Sequence, residues 1–194
     1  MKRTQIINHY IEKYNYKTYL EIGYGDGKNF SCINAALKHC IDPAPNTKPT
    51  HKMTSDDFFA SNKNTYDIIF IDGLHHHEQV YRDIINALTI LNTNGTIVCH
   101  DMNPHNELTQ IVPRTVREWT GDCWKAFVKL KYENHKLKMI TIDTDYGVSI
   151  IRKAKRVKSN TPLSEELTYS NLEKNRKEWL NLVSVDDWLD LSKK

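Results

Sequence analysis

Two short stretches of this 194-residue chain concentrate residues able to do chemistry. The first is Leu20-Glu21-Ile22-Gly23-Tyr24-Gly25-Asp26-Gly27-Lys28-Asn29-Phe30, which reads as a buried strand end, a glycine loop and a helix start. Of the seven glycines in the chain, three fall at alternate positions here. Glycine lets the backbone take positive φ and lets a ligand approach closely, so the cluster reads as a nucleotide cradle; an ordinary tight strand-to-helix turn is the plainer alternative. The spacing is neither the G-x-G-x-x-G of dinucleotide sites nor the G-x-x-x-x-G-K-[S/T] of phosphate loops. Asp42 follows about 20 residues after the loop begins, where a carboxylate can accept both hydroxyls of a ribose. Capping the loop beside Pro43 is its other possible role.

The second stretch is Asp72-Gly73-Leu74-His75, taken together with His100-Asp101. Asp72 and Asp101 each end an apolar run. If those runs are adjacent parallel strands, the two carboxylates lie ~5 Å apart at the edge where α/β proteins bind ligands. Two such charges repel unless a cation or proton sits between them. Oxygen donors suit Mg²⁺, Mn²⁺ or Ca²⁺, and His100 as a third ligand favours Mn²⁺. The alternative is that one acid caps a helix while the other bonds to backbone. Of the neighbouring histidines, His75 is the general-base candidate, with a pKa near neutrality, and His76 and His77 are expected exposed in a first helical turn. Trp119, Trp124 and Tyr146 are candidates for an acceptor wall or, equally, for the core.

The elements that must position these groups follow from periodicity. Residues 4–14 form an amphipathic helix through Ile6, Ile7, Tyr10, Ile11 and Tyr14. Strands are expected at Tyr19–Ile22, His39–Asp42, Tyr66–Asp72 and Thr96–Cys99, with a short one at His51–Met53. Helices are expected at Asn29–Leu37, through Val80, Ile84, Ala87, Leu88 and Leu91, and through Val112, Val116 and Trp119. Lys138–Thr141 and Val148–Ile151 read as two strands joined by Asp143-Thr144-Asp145-Tyr146-Gly147, and residues 163–191 as a helical tail with Leu172, Trp179, Leu180 and Val183 on one face. The alternation of strands and helices predicts a mostly parallel α/β sheet. We expect one domain over residues 1–156 and a helical extension over 157–194 packed on it.

Composition is that of a globular protein, with 39% hydrophobic and 26% charged residues. A net charge of +3 argues for no nucleic-acid partner, and Arg152-Lys153-Ala154-Lys155-Arg156 reads as a solvated strand exit. No apolar run approaches the ~20 residues of a membrane span, and no signal peptide is recognisable. Cys32, Cys40, Cys99 and Cys123 form no paired pattern. These points predict reduced cysteines in a cytoplasmic protein.

The pattern Glu21-x-Gly23-x-Gly25-x-Gly27 resembles motif I of the class I S-adenosylmethionine (SAM) methyltransferases. Asp-Gly-x-His at 72–75 with the acidic position at 101 resembles the small metal-dependent O-methyltransferases of sugar hydroxyls, the macrolide-sugar branch, and their cephalosporin hydroxylase-like relatives. The resemblance covers about residues 18–151; position 100 departs from it, with His where many members have Asp or Glu. It implies a Rossmann-like, seven-stranded, mostly parallel sheet ending in an antiparallel hairpin. It also implies SAM and a divalent cation (Mg²⁺ or Mn²⁺) as cofactors. Glu21, Gly23, Tyr24, Gly25 and Gly27 would hold the methionine end, Asp42 the ribose, and Ser55 with Asp56 the adenine; Asp72 belongs to both the cofactor pocket and the metal. Asp72, His100 and Asp101 would take the metal, and His75 would be the catalytic base. The implied partner is a small molecule or glycan with neighbouring hydroxyls, and the chain is a possible homo-oligomer. A catechol-like acceptor and a non-catalytic SAM-binding subunit are the alternatives.

Overall fold

The structure, a computed structural model, describes residues 1–134, 136–155 and 163–193. The chain opens with α1 (Arg3–Tyr14), followed by β1 (Thr18–Ile22), a single-turn α2 (Lys28–Ser31) and β2 (Leu37–Ile41). After α3 (Ser55–Ser61) come β3 (Tyr66–Ile71), α4 (His77–Ile90) and β4 (Leu91–Cys99). The second half holds α5 (Glu107–Gln110), α6 (Trp124–Glu133), the hairpin β5 (Leu137–Ile142) and β6 (Val148–Lys153), α7 (Tyr169–Trp179), β7 (Leu182–Val183) and α8 (Val185–Ser192).

The seven strands form one sheet in the order β2-β1-β3-β4-β6-β5-β7, with β2, β1, β3 and β4 parallel and β6 antiparallel to both β4 and β5. This is the expected Rossmann-like sheet with its terminal hairpin. Side chains along β3 alternate: Ile69 and Ile71 join the cluster under α4, α6 and α7, whereas Ile68 and Phe70 join the one under α1 and α8. Burial on both faces explains why β3 reads as an unbroken apolar run.

Five expectations are corrected. The helix expected at Asn29–Leu37 stops at Ser31, and Leu37 begins β2. The Asn8 side chain takes Cys32 O and Asn34 N–H, and Lys38 Nζ takes Phe30 O and Ile33 O, so side chains satisfy the backbone that a longer helix would have used. The strand at His51–Met53 reduces to a single parallel bridge from His51 to Ile41, because the prolines before it lack N–H donors and Thr54 then caps α3. No helix runs through Val112 and Val116; Pro113 interrupts it, and Trp119 Nε1 instead donates to Ile111 O at 2.6 Å. Val183 lies in a strand rather than on a helical face, since Asn181, at φ 44°, ends the helical run. Leu91 and Asn94-Gly95 fall inside β4, where the pairing with β3 shifts register. The seventh strand is therefore supplied by the tail at the β5 edge. Arg156 and the 156/157 boundary lie outside the described residues. Among the described residues no helix is long and apolar enough to cross a membrane, and all four cysteines are free.

Candidate active site

Every strand of the parallel half points its carboxyl end to the same edge, and there a cavity of about 870 Å³ opens. One side of it is the glycine loop. Gly23 has φ +92°, and a Cβ there would stand 2.0 Å from Asp72 O, so β1 and β3 exits can touch only with glycine at this position. At Gly25 a Cβ would meet nothing within 4 Å: the backbone is bare toward the cavity. The Gly25 N–H donates to Asp42 Oδ2 at 2.9 Å, and Ala44 N–H donates to Oδ1 at 2.8 Å, which ties the loop to the end of β2. Tyr24 folds over Gly27 and packs edge-on against Phe30. Glu21 is buried, its Oε2 accepting from Tyr19 Oη and, at 2.9 Å, from Asn29 Nδ2. Burial pushes its pKa up to about 7 against those two hydrogen bonds.

On the other side the exits of β3 and β4 bring Asp72, His75, His100 and Asp101 together, as adjacent parallel strands require. His75 sits between the two acids, Nε2 at 3.3 Å from Asp72 Oδ1 and Nδ1 at 3.2 Å from Asp101 Oδ2. Burial disfavours its charged form, but the two carboxylates win and raise its pKa. Asp72 is held well below the usual carboxylate range: burial opposes this, and His100, His75 and Arg3 outweigh it. Asp101 adopts φ +61°, a left-handed conformation rare outside glycine and found where surroundings enforce it. The enforcement comes from the β5–β6 turn, through Met102 N–H to Gly147 O at 3.1 Å and Asn103 N–H to Tyr146 O at 2.8 Å.

His75 is fixed from behind. Trp119 stacks on its ring with centroids 5.2 Å apart, and a Cβ on Gly121 would stand 1.9 Å from His75 O. Asp122 accepts from both the backbone N–H and Nδ1 of His77, at 2.8 and 2.7 Å, anchoring the start of α4. His76 and His77 are thus half-buried caps of α4 rather than exposed residues.

Of the sequence candidates, Glu21, Gly23, Tyr24, Gly25, Asp42, Asp72, His75, His100 and Asp101 line this cavity, and Gly27 closes its loop. Ser55 and Asp56 do not; they begin α3 and accept hydrogen bonds from Gln79 Nε2. Among the described residues, donor atoms of Asp72, His75 and Asp101 all lie within 4.8 Å of one another. His100 Nδ1 lies 2.7 Å from Arg3 Nη1, 3.1 Å from Asp101 Oδ1 and 3.3 Å from Asp72 Oδ1, and its Nε2 is 3.6 Å from Asp145 Oδ2. Burial disfavours the charged form of His100, but Asp72, Asp101 and Asp145 outweigh it and raise its pKa well above the usual imidazole value. Trp119, Tyr146 and Glu118 form the outer wall, whereas Trp124 is fully buried and stacked on Trp179. Arg3, Asp145 and Glu118 were not singled out by sequence pattern. The turn holding Asp145 could have been found, because a strand antiparallel to β4 must begin at the edge where β4 ends.

A family model described as a methyltransferase domain matches residues 44–102. Among curated proteins none matches in sequence. Solved structures that share the fold include the SAH-bound O-methyltransferase of Bacillus cereus, at 12% identity and TM-score 0.57 over 79% of this chain and 80% of that one. The O-methyltransferase TomG of Streptomyces achromogenes, of tomaymycin synthesis and bound to SAM, aligns at 11% identity and TM-score 0.60 over 78% and 79%. MycE, a methyltransferase of mycinamycin biosynthesis bound to Mg and SAH, aligns at 14% and 0.52 over 90% of this chain and 54% of that one. The chain has the fold of the class I SAM-dependent O-methyltransferases.

Proposed function

We propose that this protein transfers the methyl group of SAM to a hydroxyl of a sugar or glycan, with His75 as general base. The observation that carries the reading is His75 held between two strand-end carboxylates across one cavity from the glycine loop. The loop fits the cofactor: Gly23 and Gly25 leave bare backbone, Asp42 stands at the ribose position, and Glu21 offers a carboxylate to the cationic methionine end. SAM supplies an electrophilic sulfonium methyl. His75 takes the proton of the attacking hydroxyl at Nδ1, which is buried without a hydrogen-bond partner, while Asp72 beside Nε2 holds the ring and both acids stabilise the imidazolium that results. Trp119 and Tyr146 offer flat faces to a sugar ring, and Glu118 accepts from its hydroxyls. Positioning of donor and acceptor supplies much of the acceleration.

The carboxylates of Asp72 and Asp101 fit Mg²⁺ or Mn²⁺ and leave His75 free to act as base, and a fold neighbour was crystallised with Mg and SAH. Such an ion would lower the pKa of a bound hydroxyl. The test is transfer of labelled methyl from SAM to glycosides, nucleotide sugars and catechols, with Mn²⁺, Mg²⁺ or EDTA. Metal-dependent labelling of a sugar is expected. Labelling of catechols alone would refute the sugar reading, labelling indifferent to EDTA would remove the ion, and SAM binding with no acceptor labelled would refute the enzyme.

A further inference from the structure

Arg3 enters the cavity from the first turn of α1 and meets groups from three separate elements. Its Nη1 donates to Asp72 Oδ2 at 3.0 Å, beyond the end of β3, and lies 2.7 Å from Nδ1 of His100, beyond the end of β4. Its Nε stands 3.4 Å from Asp145 Oδ2 in the hairpin turn, and its own backbone N–H donates to the same oxygen at 3.0 Å. The flanking residues hold the segment at both ends. Thr4 Oγ1 donates to Asn29 Oδ1 at 2.7 Å on the glycine-loop side, and Thr144 Oγ1 donates to Met1 O at 2.6 Å on the hairpin side. A guanidinium clamped by side chain and main chain in a half-buried site is a fixed charge, unlike the exposed pair of Lys28 and Asp26 at the same cavity's rim.

Asp72 is also one of the two residues proposed above to take a divalent cation. Its Oδ1 faces His75 while its Oδ2 carries Arg3, so both cations would share one carboxylate. Like charges that close, in a medium less polar than water, weaken each other's binding. We infer that Arg3 is a resident cation of the site, neutralising Asp72 and Asp145 and thereby setting how weakly Asp72 and Asp101 take up a divalent ion. Arg3 is in this sense a positioning residue, and the inference rests on the cation site of the proposed function. It has a consequence for catalysis: the site keeps its acids apart and oriented whether or not an ion is bound, so the metal tunes the site rather than assembling it.

The test is Mn²⁺ alone, titrated into the full chain and followed by the paramagnetic resonance of free Mn²⁺. Arg3→Gln should bind Mn²⁺ roughly tenfold more tightly than the unaltered protein, whereas Arg3→Lys, which keeps the charge, should stay within about threefold of it. A merely structural role for Arg3 predicts the opposite sign, since a loosened site loses affinity. Asp101→Asn separates the two levels of the argument. If Asp101→Asn abolishes binding and Arg3→Gln fails to tighten it, the Arg3 inference is overturned while the cation site stands. If no protein binds Mn²⁺, or Asp101→Asn binds it unchanged, the cation site itself is refuted and the inference falls with it. Should Arg3→Gln fail to fold, Mn²⁺ affinity lost in the folded Arg3→Lys protein would equally overturn the inference.

Discussion

Glu21 lies buried at the end of β1, where burial raises its pKa from 4.5 to about 7 although Tyr19 and Asn29 donate to it. Cofactor affinity should therefore depend on pH in a way that Glu21→Gln removes. If the cationic end of SAM is held by ionised Glu21, apparent affinity follows the ionised fraction, about 0.09 at pH 6 and about 0.91 at pH 8 for a group titrating near 7. The dissociation constant should fall about tenfold between those pH values, with release of a proton on binding at the acid end. In Glu21→Gln the constant should be flat, and at pH 8 at least roughly tenfold weaker. Stability moves the other way. Between pH 4.5 and 7 the folded chain keeps a proton that the unfolded chain has lost, so stability falls as pH rises through this window and levels off above it. At 1.36 kcal/mol per pH unit the loss reaches about 3 kcal/mol, and Glu21→Gln should be the more stable protein at pH 8 by up to that amount. Calorimetric titration of SAM in buffers of different ionisation enthalpy, with urea unfolding at the same pH values, measures both. A wild-type affinity that does not change from pH 6 to 8, or a slope that survives in Glu21→Gln, refutes the reasoning.

Other variants probe the rest of the site. His75→Ala should lower kcat by about 10²- to 10⁴-fold while SAM affinity, read by calorimetry, stays within about threefold; loss of SAM binding would argue against the base role. Gly23→Ala forces a methyl into Asp72 O at a left-handed φ, so urea unfolding should show a loss of at least about 2 kcal/mol and SAM binding should vanish. Trp119→Ala removes the ring stacked on His75 and should raise the acceptor KM more than it alters SAM affinity in steady-state assays. Trp124→Ala, by contrast, empties a fully buried site against Trp179 and should cost about 3–5 kcal/mol of stability by urea unfolding.

The parts of this site that were legible in the sequence are those encoded by neighbours in the chain. Glu21 with its glycines, and Asp72 with His75, carry their spacing on the page, and the apolar runs before Asp72 and Asp101 implied adjacent strands. Arg3 meets Asp72 and Asp145 from 69 and 142 positions away, a meeting that only the folded sheet brings about. The metal-ligand expectation took His100 from the position where the resembled family has an acid; its ring reaches both carboxylates, Nδ1 lying 3.1 Å from Asp101 Oδ1 and 3.3 Å from Asp72 Oδ1, and the histidine after β3 reaches between the same acids. The missed helix at Asn29–Leu37 shows local preference overruled by partners in α1 and β2, which only the tertiary structure supplies.

The two-residue strand β7 closes the sheet at its hairpin end. Asp143 N–H donates to Val183 O at 2.9 Å, and Thr141 N–H reaches Asn181 O at 3.4 Å. Without β7, Thr141 and Ile142 of β5 would offer unpaired donors and acceptors at the sheet edge, a place onto which another extended chain can zip. A pair of residues hemmed between α7 and the Ser184-capped α8 is too short to present such a place in its turn. The tail therefore covers the end of the β5 edge nearest the cavity, and because it also places Leu172, Trp179 and Leu180 in the core, removing it should lower stability as well as bare that flank.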